Sequence, residues 1–95
     1  QPALRDKALI LNYLQKADEA FEYIVSALKQ NQNDHIALNT LGLILISLKR
    51  TKEAKNTFIR AIEVNPKYFS SYNNLGHCYT LLNDREKSFE AFSKA

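Results

Sequence analysis

The chain has 95 residues, 45% of them hydrophobic and 24% charged, with two prolines, two glycines and one cysteine. Such a composition excludes disorder, an internal disulfide and a cysteine-based metal framework; no apolar run nears the roughly 18 residues of a membrane helix, and the length suits one small domain. The net charge of +3 is modest and its densest cluster, Lys49, Arg50, Lys52 and Lys55, falls at a predicted turn as a solvated rim, so nucleic acid is not demanded.

In chain order, the apolar spacing predicts six helices. The first, residues 2–14, carries Leu4, Ala8 and Leu11 and breaks at Gln15-Lys16-Ala17. The second, 18–31, carries Ala20, Ile24 and Ala27 and ends in the polar run Asn31 to Asp34. The third, 35–48, places Leu38, Leu41, Gly42, Leu45 and Leu48 on one face. Lys49-Arg50-Thr51 breaks it, with Thr51 expected to cap the fourth helix. That helix, 52–65, shows Ala54, Phe58, Ala61 and Ile62, and Asn65-Pro66 ends it because proline cannot continue the ladder. The fifth, 69–82, carries Tyr72, Leu75, Gly76 and Tyr79. Asn83-Asp84 then joins an asparagine that tolerates a left-handed backbone to an aspartate able to cap, and the sixth helix, 85–95, carries Ser88, Phe92 and Ala95.

These elements repeat at a fixed interval of 34 residues, which aligns Leu41-Gly42 with Leu75-Gly76, Phe58 with Phe92 and Ala61 with Ala95. Extended backwards, the frame brings in Ala8, Ala20, Ile24 and Ala27. Glycine inside a helix costs about 1 kcal/mol relative to alanine, so its recurrence in one frame demands a packing reason. Ala8, Gly42 and Gly76 are expected where one helix of a pair approaches the other, with Ala20, Ala27, Ala54, Ala61, Ser88 and Ala95 as matching sockets and Phe58 and Phe92 filling the space between. The whole chain, 1–95, is then one domain of three repeats, about 1–34, 35–68 and 69–95. The last repeat stops after 27 positions and the first opens on Gln1 in a chain without methionine, as expected of a piece of a longer protein.

A 34-residue pair of helices bearing Leu38, Leu41-Gly42, Ala54, Phe58, Ala61 and Pro66, then Tyr72, Leu75-Gly76, Tyr79, Phe92 and Ala95, resembles the tetratricopeptide repeat. Lys7, Leu45 and Ser88 depart from its pattern, and no glycine marks the turns inside the pairs. The resemblance implies an all-α, right-handed superhelix of stacked antiparallel helix pairs, without cofactor or metal, whose first helices line a concave groove for a partner peptide or helix. By that analogy the groove positions are Pro2, Arg5, Leu9, Asn12 and Tyr13, then Ile36, Asn39, Leu43, Ile46 and Ser47, then Ser70, Asn73, His77, Thr80 and Leu81.

Asn39 and Asn73 share one repeat position and are expected to offer a ladder of amides to a peptide backbone. Family members that grip a carboxylate use a cluster of Lys, Arg and Asn; only Arg5 matches here, with Leu9, Thr40, Ser70 and Asn74 at the other positions, so an apolar peptide is the expected ligand. Cys78 reads as a small buried hydrophobe in the frame of Ile10 and Ile44, and its being unpaired points to a reducing, cytoplasmic setting. No nucleophile–base grouping, paired carboxylates or glycine-rich phosphate loop appears, so the chain reads as non-catalytic. The alternatives are a substrate-recruiting segment of a larger enzyme, such as a glycosyltransferase or sulfotransferase, and RNA binding, which the strict 34-residue interval disfavours. Phe89 and Phe92, uncovered by a following helix, suggest self-association through the last repeat.

Overall fold

The computed structural model describes the backbone of residues 2–95 and the side chains from Arg5 onward; Pro2 and Leu4, named above, lie outside the described side chains. Its helices are α1 (Pro2–Tyr13), α2 (Ala17–Gln30), α3 (His35–Ser47), α4 (Thr51–Val64), α5 (Ser70–Leu81) and α6 (Arg85–Ser93). Every helix end falls within two residues of the expected one. No strand forms among the described residues, and the fold is an all-α solenoid of antiparallel pairs.

The turns inside the pairs share one geometry. Gln15, Lys49 and Asn83, spaced by 34 residues, have φ of 64°, 65° and 62°. Beyond each, the next N–H reaches back to the carbonyl five residues earlier: Lys16 to Leu11, Arg50 to Leu45 and Asp84 to Tyr79, each at 2.8 Å. This satisfies helix-end carbonyls in the manner of a Schellman cap, which ordinarily uses glycine at the left-handed residue. A side chain there costs roughly 1 kcal/mol or more, least for asparagine. Lys49→Gly should therefore raise stability by about 0.5–1 kcal/mol after the extra freedom of the unfolded glycine is offset, whereas Lys49→Val should lower it. Urea melts of the two variants check the sign.

Arg50, rather than Thr51, occupies the N-cap of α4, and no side chain caps this helix. The left-handed Lys49 turns the chain so tightly that Thr51 is already helical, while Arg50 spends its guanidinium on Glu53 at 2.6 and 3.1 Å. Asp84 does cap α6, accepting from the Lys87 N–H at 3.2 Å. Between repeats a second geometry recurs: Asn31 Oδ1 accepts from the Asn33 N–H and Asn65 Oδ1 from the Lys67 N–H, both at 3.1 Å. Each is an asparagine turn that leads the chain from one pair to the next.

Helix α3 begins on Asp34, whose Oδ1 accepts from the Ile36 and Ala37 N–H groups at 3.0 and 3.1 Å. Tyr68 holds the equivalent place before α5 and has no oxygen placed to do this, so that helix starts later, at Ser70, without a side-chain cap. At the far end α6 stops at Ser93 and Ala95 is exposed, against its expected role as a buried helical socket. The last turn closes with the Lys94 N–H on Ala91 O and the Ala95 N–H on Phe92 O, three-residue bonds that turn Ala95 off the packed face.

Small residues set the helix approach inside each pair. Ala8, Ala20, Ala54 and Ala61 are wholly buried, and Ala27 nearly so. A Cβ at Gly42 would collide with the Phe58 ring, and one at Gly76 would lie 2.9 Å from Phe92 Cδ1. In the first repeat the same two positions hold Ala8 and Ile24, both fully buried in one cluster, so a methyl gained on one helix accompanies an aromatic ring lost from the other.

The first helices of the pairs form a column, α1 against α3 and α3 against α5. Helices α2 and α4 pack on their own partners and on the first helix of the next pair, α3 and α5, but make no close approach to each other among the described residues. The column is therefore the inner side and the outer side is furrowed. Ala37, Ile44, Leu41 and Leu48 bring the second repeat onto the first, and Leu75, Cys78 and Tyr79 bring the third onto the second.

Candidate functional site

The expected groove residues lie on α1, α3 and α5, but the structure uses several of them to join helices. Asn39 is 7% exposed, turned into the contact between α3 and α5. Its Oδ1 accepts from Ser71 Oγ at 3.2 Å and from Asn74 Nδ2 at 3.0 Å. Asn73 is exposed, so the two asparagines do not form an even ladder. Sequence could have hinted at this: the third position of each repeat is small, Ala3, Ala37 and Ser71, and in the last a hydroxyl becomes available to Asn39.

Arg5, at the same repeat position, reaches the N-cap of α3, the first helix of the next pair. Its Nη1 donates to Asp34 Oδ2 at 3.0 Å and Oδ1 at 3.3 Å, with both side chains mostly shielded. Burial opposes ionisation of Asp34, but the Ala37 N–H, the Arg5 guanidinium and the Ile36 N–H together outweigh it and hold the carboxyl below its ordinary value of 3.8. A lowered folded pKa contributes stability above the unfolded value, lost as pH falls through the folded one. Arg5→Met should thus cost about 1 kcal/mol at pH 7, and the gap from the parent should close below pH 3.8. Denaturant melts from pH 7 to 3 test this, and a gap independent of pH would refute it.

Thr80 turns toward its own pair partner. Its Oγ1 lies 2.6 Å from Ser88 Oγ and 3.0 Å from the Gly76 carbonyl oxygen. This accounts for Ser88 in place of the usual alanine: the buried hydroxyl is satisfied across the α5–α6 contact. Thr80→Val should cost about 1–2 kcal/mol by orphaning that hydroxyl, and Ser88→Ala in the same chain should recover most of it. A thermal-melt double-mutant cycle with no coupling would refute the pairing. Lys7, another departure, holds its ammonium 4.5 Å from the Tyr23 ring centroid, where its stem and charge both find a use.

The remaining positions face outward to different degrees. Leu9 is 45% and Leu81 48% exposed, Tyr13 projects almost free, and His77 is exposed. Ile36 is half-buried, while Leu43 and Ile46 are half-buried against the second core cluster. Asn12 is half-buried with its Oδ1 unpartnered. Asn39, Leu43 and Asn73 come together along one shallow depression of about 470 Å³ between α3 and α5, with Tyr68, Phe69, Ser70, Asn74 and Ala95. Phe69, 56% exposed there, has no counterpart in the expected set. Its neighbours offer amides and a hydroxyl; the one cationic groove position, Arg5, is bound to Asp34 elsewhere.

Cys78 is wholly buried, and burial pushes its thiol up to about 11, only slightly opposed by Lys55. A thiol so placed is a packing group, not a nucleophile. Ile10, in its frame, is 59% exposed because no helix precedes α1 among the described residues. Those residues contain no group of three His, Cys, Asp or Glu placed to hold a metal, and no helix long and apolar enough to cross a membrane.

Two family models described as Tetratricopeptide repeat match residues 36–68 and 57–91, together more than half of the chain. The uncharacterized protein ycf37 of Pyropia yezoensis is 34% identical over 56 residues, 59% of this chain and 32% of that protein. The chain thus spans about a third of this relative's length. Among solved structures, YrrB, described as a TPR protein with an unusual peptide-binding site, superposes with a TM-score of 0.87 at 26% identity over 96% of this chain and 47% of that one. The second TPR of Spaghetti (RPAP3), bound to the HSP90 peptide SRMEEVD, gives a TM-score of 0.90 at 14% identity over 97% and 85%. At that identity the likeness is one of fold.

Proposed function

Since the chain belongs to the tetratricopeptide repeat family, we propose that its inner face, formed by α1, α3 and α5, receives an apolar peptide or short helix of a partner protein. Repeats of this family are protein-interaction modules, and the peptide-binding site described for YrrB supports the same use here. The observation that carries the reading is the open depression between α3 and α5, where Leu43 and exposed Phe69 lie beside the amides of Asn73 and Asn74. Apolar anchors with nearby groups that both donate and accept suit a peptide whose backbone is hydrogen-bonded and whose side chains are buried. An acidic ligand such as SRMEEVD fits less well, because the Arg5 charge is already paired with Asp34.

The test is a selection of random peptides on the purified chain, followed by titration into isotopically labelled protein. Amide shifts should gather on α3 and α5, and Phe69→Asp with Asn73→Ala should abolish binding without loss of fold. Shifts confined to α2, α4 and α6 would overturn the reading. Asn39→Ala is a poor probe, because it removes the acceptor of Ser71 and Asn74 and so disturbs the stack.

A second partner, another copy of the chain, is favoured by one observation: Phe89 is 75% and Phe92 43% exposed on α6. Apolar side chains grouped on one helix promote association. Light scattering across a concentration series should show dimers or larger species, lost in Phe89→Lys, and a concentration-independent monomer would refute it.

A further inference from the structure

The outer face carries a furrow of its own. Because α2 and α4 do not meet, a furrow of about 510 Å³ lies between them, within the range of sites that take small ligands. Leu28, Leu38 and Leu41 supply its apolar lining, and Arg60 on α4 faces Gln32 across it. Arg60 forms no ion pair among the described residues. Its one hydrogen bond is long, 3.4 Å from Nη2 to the Gln32 carbonyl oxygen. The Thr57 hydroxyl on the same wall is committed to the Glu53 carbonyl oxygen at 2.8 Å. The equivalent place between α5 and α6 is a smaller cleft of about 220 Å³ edged by Glu90 and Lys94, and on α2 it is edged by Glu19 and Glu22. Of these three equivalent places among the described residues, the middle furrow alone joins an unpaired cation to leucines without an acidic residue in its lining.

We propose that this furrow holds the C-terminal residue of a partner peptide, an aliphatic side chain on the leucines and the terminal carboxylate on Arg60. Guanidinium and carboxylate match in charge and in planar, two-pronged geometry. In an extended peptide adjacent side chains point to opposite sides, so the nearest acidic and apolar side chains on one side are two residues, roughly 6.5–7 Å, apart. A terminal residue carries both groups on a single Cα.

The probe is acetyl-Gly-Gly-Leu with a free C-terminus, titrated into the isotopically labelled chain beside its C-terminal amide. Amide shifts are expected at Leu28, Leu41 and Arg60, with a Kd on the order of 1 mM for so small a ligand. Amidation of the peptide, or Arg60→Gln in the protein, should weaken binding about fivefold or more. Phe69→Asp on the inner face should leave it unchanged, which separates this site from the peptide groove. Arg60 is exposed, so the variant keeps its fold, as circular dichroism will show. Equal binding of acid and amide, an unaffected Arg60→Gln, shifts on the inner face alone, or no shift by about 10 mM peptide would each overturn the proposal.

Discussion

Phe58→Ala is expected to remove about 3–5 kcal/mol of stability, much of the roughly 5–10 kcal/mol available to a domain of this size. Phe58 is the largest fully buried side chain, set against Gly42 on α3 and among Leu45, Ala54 and Leu75. Its removal forfeits the transfer free energy of the ring and leaves a cavity that fully buried neighbours on both sides cannot fill. Phe92→Ala, at the same position of the next repeat, should cost far less, about 1 kcal/mol, because that ring is already 43% exposed. Paired denaturant melts decide the matter, and equal losses would show that the two repeats do not differ in packing as described.

The second large effect concerns the opposite change. Gly42→Ala should cost about 1–3 kcal/mol although alanine is the better helix former, because the new methyl meets a ring with nowhere to go. The first repeat suggests the remedy, for there alanine and isoleucine occupy the paired positions as Ala8 and Ile24. Adding Phe58→Ile to Gly42→Ala should make the double variant more stable than the sum of the single effects implies, by about 1 kcal/mol or more. Gly76→Ala should be milder, since half-exposed Phe92 is free to swing outward. Strict additivity at the 42–58 pair would refute direct contact as the cause.

These two predictions draw on what was most legible in the sequence. Helix positions were readable because the apolar period and the 34-residue interval constrain one another, so an end uncertain in one repeat is fixed by its equivalents. Size also carried information: a glycine in one helix and an aromatic at a fixed offset in the next say where two backbones come close. Hydrogen bonding was less legible. Asn39 turns inward only because Ser71 and Asn74 arrive from the next repeat, 32 and 35 residues away. Arg5 likewise finds Asp34, 29 residues on. The left-handed turns at Gln15 and Lys49 were hidden because the usual sign, glycine, is absent and the backbone accepts the strain. Thr80 was placed by family analogy in a groove, yet its hydroxyl answers a serine that the family pattern lacks.

The arrangement of neighbours also grades how firmly each helix is held. Helix α3 touches α1, α2, α4 and α5, whereas α6 touches α5 alone among the described elements. A helix bounded on every side opens only when the whole domain opens; one bounded on a single side detaches by itself. In these 95 residues, amide protons of α6 are therefore expected to exchange with solvent through a smaller local opening than those of α3.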